Sequence, residues 1–216
     1  MPTPVMVPYR DPLSAQNYKT QRGDSPEDLY QPLYDRVNVA TTVPASLGFF
    51  STSQGQSATL IASTATATIV KGYRDTNMQN ANVVPTKMFK FIGISVGFVQ
   101  VPTGLASLTN PFDRELITQG GFMQFKIVDK DILYAPLELL PVINPYAAMA
   151  TTANNTTIPG INPGGGQGSA MLRLPIAITL NPYENFQVNI SWPNGATLTN
   201  TLDLYVFLHG FMRRPT

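Results

Sequence analysis

The sequence predicts an all-β chain: an antiparallel β-sandwich preceded by an extended, proline-rich N-terminal arm. Three observations lead there. Apolar residues alternate with period two in run after run from about residue 46 onward, and Pro, Gly and Asn turn signals separate those runs. Before residue 46, prolines at 2, 4, 8, 12, 26, 32 and 44 interrupt any long helix or central strand. The expected division is an arm over residues 1–45 and one sandwich over residues 46–216.

Within the arm, Tyr9, Tyr18, Tyr30 and Tyr34 are spaced too irregularly for one amphipathic face. Disordered tails are usually poor in aromatics, so these tyrosines predict an ordered arm docked on its own domain or on neighbours. Ser25 to Tyr30 reads as one short helix, with Ser25 as N-cap, Pro26 at the first helical position and acids in the first turn. Fully extended, such an arm reaches about 150 Å, several times the roughly 40 Å breadth of a compact domain of this size. It is long enough to cross to another subunit. Removing residues 1–40 is expected to leave a folded sandwich that fails to assemble.

Strands follow in order. Ser46 to Phe50 is the first, and Thr59 to Val70 reads either as a strand with a polar face or as a loop. In Phe89 to Val101 the apolar phase shifts at Gly93, from Phe89 and Phe91 to Ile92, Ile94, Val96 and Phe98, which predicts a β-bulge. Phe122 to Val128 and Ile132 to Tyr134 come next, then a long loop over residues 145–168. Leu172 to Leu180 alternates cleanly, and Pro175 within it predicts a free edge or a bulge. Phe186 to Trp192 alternates up to the turn Pro193-Asn194-Gly195, which places Trp192 in the core. The last run buries Leu202, Leu204, Val206 and Leu208 on one face and carries Tyr205, Phe207 and His209 on the other. Seven or eight strands separated by turns suit a jelly roll.

Catalytic chemistry finds little support. The chain has no cysteine and one histidine, His209, without a Gly-x-Ser-x-Gly elbow to accompany it. Asp129-Lys130-Asp131 reads as a solvated turn rather than a metal site, and Gly164-Gly165-Gly166-Gln167-Gly168-Ser169 lacks the Lys that completes a phosphate-binding loop. No catalytic residue, cofactor or metal ligand is assigned, and the chain is not expected to be an enzyme. Arg22-Gly23-Asp24 and the glycosylation-type triplets at Asn154, Asn155 and Asn189 read as chance matches. The net charge is +1 and no basic stripe is present, so nucleic-acid contact is not indicated; Arg213 and Arg214 are the candidates for a genome or partner contact. Neither a signal peptide nor an apolar run long enough to span a bilayer is visible, so no membrane insertion is expected.

Composition points to assembly instead. Only 12% of the residues are charged while 43% are apolar, where about 25% charged is usual. A monomer keeps its surface solvated with Lys, Arg, Asp and Glu; a surface covered by copies of the same chain can do without them. The candidate subunit contacts are Tyr9, Tyr18, Tyr30, Tyr34, Phe207 and His209.

Gly72-Tyr73-Arg74-Asp75-Thr76-Asn77-Met78, with Val84-Pro85-Thr86-Lys87-Met88-Phe89 after it, resembles a pattern of bacteriophage structural proteins. Phe122 to Ile127, Tyr134 to Leu137, Asn185 to Pro193 and the ending Leu208 to Pro215 continue the resemblance over residues 46–216. It implies a single-jelly-roll capsid protein of a tailless icosahedral phage, made in the host cytoplasm and located in the virion. Its implied partners are copies of itself and other virion proteins. A decoration, vertex or receptor- or carbohydrate-binding β-sandwich is the alternative. Major and minor capsid roles, shell symmetry and host stay open at this point.

Overall fold

The computed structural model describes residues 27–62, 65–84, 87–99, 111–142, 150–151, 157–158 and 171–214. Tyr9, Tyr18, Arg22-Gly23-Asp24, Asn154, Asn155 and the glycine run at 164–168 lie outside them. The strands are β1 (Glu27–Tyr30), β2 (Leu33–Val39), β3 (Ser46–Phe49), β4 (Ser57–Ile61), β5 (Thr66–Val70), β6 (Met88–Val99), β7 (Phe122–Ile127), β8 (Lys130–Pro136), β9 (Ala150–Thr151), β10 (Thr157–Ile158), β11 (Leu172–Leu180), β12 (Phe186–Ser191) and β13 (Leu202–Arg214). Among the described residues one α-helix, α1 (Pro111–Gly120), precedes β7, and a short 3-10 turn (Leu137–Leu139) follows β8.

Among the described residues every pairing between these strands is antiparallel, and strands far outnumber the one α-helix: the chain is all-β. Five strands make one sheet in the order β1-β13-β6-β11, with β2 also on β13; four make a second in the order β3-β12-β7-β8. Two hairpins, β4-β5 and β9-β10, stand apart. Setting those hairpins and β1 aside, the pairing is nested. The first strand pairs with the last (β2 with β13), the second with the second-last (β3 with β12), the third with the third-last (β6 with β11), and β7 with β8.

Alternation builds the core between the two sheets. On β13 Leu202, Leu204, Val206 and Leu208 are fully buried, and Phe49, Met123, Phe125, Phe186, Val188 and Ile190 come from the second sheet to the same cluster. Phe91 of one sheet meets Phe125 of the other at 5.1 Å between ring centroids. Trp192 is buried as its alternation predicts, and its indole N–H donates to the Ile117 carbonyl of α1 at 3.0 Å.

Two sequence signals have direct structural counterparts. His209 pairs with Gly93 while Gly210 pairs with Phe91, so Ile92 has no partner on β13 and forms the bulge expected there. β11 is an edge strand, and its pairing to β6 breaks between Arg173 and Ile178, the stretch that contains Pro175.

The N-terminal expectation needs correcting. The helix expected over Ser25 to Tyr30 is absent from its described part: residues 27–30 are a strand whose Leu29 and Tyr30 pair with Met212 and Phe211, and Ser25 and Pro26 lie outside the described residues. Residues 33–39 belong to the sandwich and not to an arm, because Leu33 and Val39 are buried opposite Leu208 and Leu202. The prolines punctuate these strands without preventing them: Pro32 lies between β1 and β2, and Gln31 N–H still reaches the Gly210 carbonyl at 3.0 Å. The stretch from Thr59 to Val70 is a hairpin, and α1 was not anticipated.

Candidate functional site

β13 is the spine of the outer face of the five-stranded sheet. Because its even-numbered residues enter the core, Asp203, Tyr205, Phe207 and His209 point outward. β2 lies beside it in register, so Tyr34 faces Phe207, Arg36 faces Tyr205 and Asn38 faces Asp203. This one face carries an aromatic cluster at one end and an ionic cluster at the other.

The aromatic end gathers four of the six expected contact residues. Phe207 lies between Tyr205 and His209, with centroids 5.6 and 6.4 Å away, and Tyr34 is 6.0 Å from it. Tyr30 stacks on His209 at 6.3 Å and meets Phe211 edge-on at 5.7 Å. The Tyr30 hydroxyl lies 2.6 Å from His209 Nδ1, and the Ser95 hydroxyl lies 2.7 Å from Nε2. Burial holds His209 below its ordinary pKa, so the ring is neutral at pH 7. Tyr30, Tyr34, Phe207 and His209 thus find partners within one chain.

A serine, a histidine and a third group in line invite comparison with a nucleophile and its base. The third member here is a tyrosine, which cannot stabilise an imidazolium as a buried carboxylate does. Ser95 is fully buried in the middle of β6. What this arrangement does is tie β1, β13 and β6 together.

At the ionic end the hairpin β4-β5 docks on the sheet. Asp203, fully buried, accepts Arg36 Nε at 2.6 Å, Asn38 Nδ2 at 2.7 Å and the Ile61 backbone N–H at 2.8 Å. Arg36 also donates Nη1 to Asp75 at 2.9 Å and Nη2 to the Ile61 carbonyl at 2.6 Å, and its guanidinium lies 5.7 Å from the Tyr205 ring centre. Burial works against the Arg36 charge, yet Asp203, Tyr205 and Asp75 hold its pKa above the ordinary value. On the core side of β2, Lys71 Nζ donates to Asp35 at 2.7 Å. Burial raises the Asp35 pKa, opposed by Lys71 and by the Phe50 N–H, which donates to the other carboxylate oxygen at 2.7 Å. That bond supports Phe50 in the left-handed backbone region (φ 64°).

The Tyr73 to Met78 segment buttresses β2. Thr76 Oγ1 donates to the Tyr34 carbonyl at 3.1 Å; Asn77 accepts from the Tyr34 N–H at 3.0 Å and donates to the Pro32 carbonyl at 2.7 Å. The Tyr34 hydroxyl donates to the Tyr73 carbonyl, and Met78 is fully buried. A cavity of about 310 Å³ lies between the hairpin and β2-β3, lined by Asn38, Ser51, Thr52, Thr59 and the edges of Arg36 and Lys71. Both cations already bond carboxylates.

Arg213 is committed within the chain. Its Nε and Nη2 donate to the two oxygens of Asp28 at 2.9 and 3.3 Å, and Asp28 raises its pKa. Arg214 pairs through its backbone with Glu27. Among the described residues no group of three metal-ligating side chains occurs, and no helix is long and apolar enough to cross a membrane.

The outer face of the second sheet is different in kind. One row across it reads Gly48, Asn189, Gln124, Tyr134, and the next reads Ser46, Ser191, Phe122, Pro136. Neither row contains a charge. In the third row Lys126 and Asp131 stand 3.6 Å apart. Tyr134 is 61% exposed and stacks on Phe122 at 5.1 Å.

In comparisons with known proteins, no family model, no curated protein and no solved structure matches the chain.

Proposed function

We propose that this chain is a jelly-roll virion subunit that packs beside copies of itself, in the manner of the coat proteins of tailless icosahedral phages. Two uncharged rows on the outer face of the second sheet carry the reading. Two full rows of Ser, Gly, Asn, Gln, Phe, Tyr and Pro give a surface that costs little to desolvate and offers amides to pair across a contact. The nested pairing supports the fold half of the proposal. Two four-stranded sheets in the orders β2-β13-β6-β11 and β3-β12-β7-β8 are what a long hairpin gives when rolled up, and viral capsid domains use that plan.

A stable contact needs roughly 1,200–2,000 Å² of buried surface in all, and weaker contacts add up in a lattice. Residues 1–26 provide the arm for such contacts, Tyr9 and Tyr18 among them. Light scattering and negative-stain images of the full-length chain test the proposal. Shells, or trimers to hexamers that grow into shells, are expected; a 23.5 kDa monomer at every concentration overturns it. Gln124→Lys with Asn189→Lys should abolish growth without unfolding the chain.

One observation favours a second reading, a carbohydrate-binding module. The exposed Tyr134 ring sits beside Gln124, whose amide donates to Asp131 at 2.6 Å, and an aromatic platform next to an amide and a carboxylate is what a sugar ring needs. Glycan-array binding by a monomer, lost in Tyr134→Ala, would select that reading.

A further inference from the structure

His209 is the chain's single histidine, and the Tyr30 ring of β1 stacks on it. The residue is 8% exposed. Two of its neighbours, Ser95 and Phe207, belong to β6 and β13 in the middle of the sheet. The third, Tyr30, rides on a four-residue strand. That strand is attached by its pairing to Phe211–Arg214, by the Gln31 N–H to the Gly210 carbonyl and by the Asp28–Arg213 pair at the surface. A short outer strand of this kind opens far more readily than a sandwich core.

The charged and titratable groups around the ring come from every element on this face. β1 brings Tyr30 and Asp28, the latter turned to Arg213. β6 brings Lys90, opposite Phe211, and β11 brings Arg173, which lies across Gly93 from His209. β2 brings Tyr34, packed on Phe207, and β13 itself brings Tyr205 and Arg213. Among the described residues the cations are Lys90, Arg173 and Arg213, and the carboxylate is Asp28, already paired. An imidazolium here would be cut off from water and would find no unpaired carboxylate among those groups.

We propose that His209 and Tyr30 form an acid-sensitive latch, in which protonation of the imidazole detaches β1 from the end of β13 at the edge of the sheet. Raising Tyr30 lets water reach the charged ring, whereas moving Ser95 or Phe207 would break the middle of the sheet. Opening the latch frees the chain up to β2 and leaves the core intact. The inference goes beyond the assembly reading and does not rest on it, because it requires only the folded chain.

The lowered pKa of the closed ring fixes the direction. With β1 lifted, the ring approaches its ordinary value of about 6.5. Above that pH the ring is neutral in both states and the latch is indifferent to acid. Below it the open state takes up the proton first. The opening constant then grows by at most about tenfold per pH unit, until the closed ring titrates as well.

Hydrogen exchange of the full chain by NMR tests this at about pH 7.5 and about pH 5, both above the ordinary carboxylate range. After correction for intrinsic rates, opening at the Gln31 amide should increase about tenfold at the lower pH, with core amides such as Ile190 unchanged. His209→Gln should abolish the dependence. Tyr30→Phe should loosen Gln31 at both pH values and keep the slope. Equal protection of Gln31 at both pH values, equal loosening of Ile190, or a slope that survives His209→Gln would each overturn the latch. If His209→Gln does not fold, the single imidazole resonance of the natural chain decides: titration below 6.5 supports the latch, and titration at or above it refutes it.

Discussion

Replacing Asp203 with alanine tests how the hairpin β4-β5 is held on the sheet. The carboxylate is fully buried and accepts from Arg36, Asn38 and the Ile61 N–H. Its removal leaves a guanidinium that is 2% exposed with Asp75 as its remaining carboxylate, and it orphans the Ile61 amide at the tip of β4. Breaking a buried pair on one side costs about 3–5 kcal/mol, and a buried donor left unpaired costs about 1–3 kcal/mol. The two overlap, so a total loss of about 4–6 kcal/mol is expected, a large share of the roughly 5–15 kcal/mol that domains possess. Asp203→Asn keeps shape and one acceptor and should lose about half as much. Urea titration followed by Trp192 fluorescence measures both, since this buried indole is the only one in the chain. With Arg36→Met added, the double variant should lose clearly less than the sum of the singles. A cost below about 1 kcal/mol for Asp203→Ala would mean that water satisfies this cluster and that the hairpin is held by other contacts.

Two further outcomes follow from the strand arrangement. Deleting residues 1–26 should leave the far-ultraviolet dichroism and the cooperative melt nearly unchanged, whereas deleting residues 1–40 removes β1, β2, Asp35 and Arg36 and should abolish the cooperative transition. A folded 1–40 deletion would contradict the pairing of β2 with β13. Gly210→Ala should destabilise the chain by about 1–3 kcal/mol, because a methyl group there meets the Lys90 carbonyl and comes within 2.5 Å of the Phe89 ring. For a chain of this size that lowers the melting temperature by about 2–12 °C, and an unchanged melt would show that the bulge at Ile92 gives way freely.

Most of the sandwich was legible because its strands are buried on one face and therefore alternate. The runs from Leu172, Phe186 and Leu202 sit where periodicity places them, and Gly93 and Pro175 mark the two irregularities. Leu33, Asp35, Val37 and Val39 alternate too, and the density of prolines around them hid it. The helix signal over Ser25 to Tyr30 is local, and over residues 27–30 pairing with the end of β13 overrides it. α1 had its own signal in Pro111 at the first position and Asp113 in the first turn. The ionic cluster had none. Asp35, Arg36, Lys71, Asp75 and Asp203 look like ordinary charges until the nested topology brings residue 203 beside residue 36.

That topology also sets an order of events during synthesis. Val39 waits for Leu202 and Leu33 for Leu208, so β2 stays without its partner until almost the whole chain has emerged. At about 5–20 residues per second the wait is roughly 10–35 s. Throughout it the free edge of β2 and the aromatic face of β6 stand exposed to other nascent chains, while β7-β8, the innermost hairpin, can close at once. The sandwich therefore closes from its middle outward, and β2, the outermost member of the nest, is among the last to be secured.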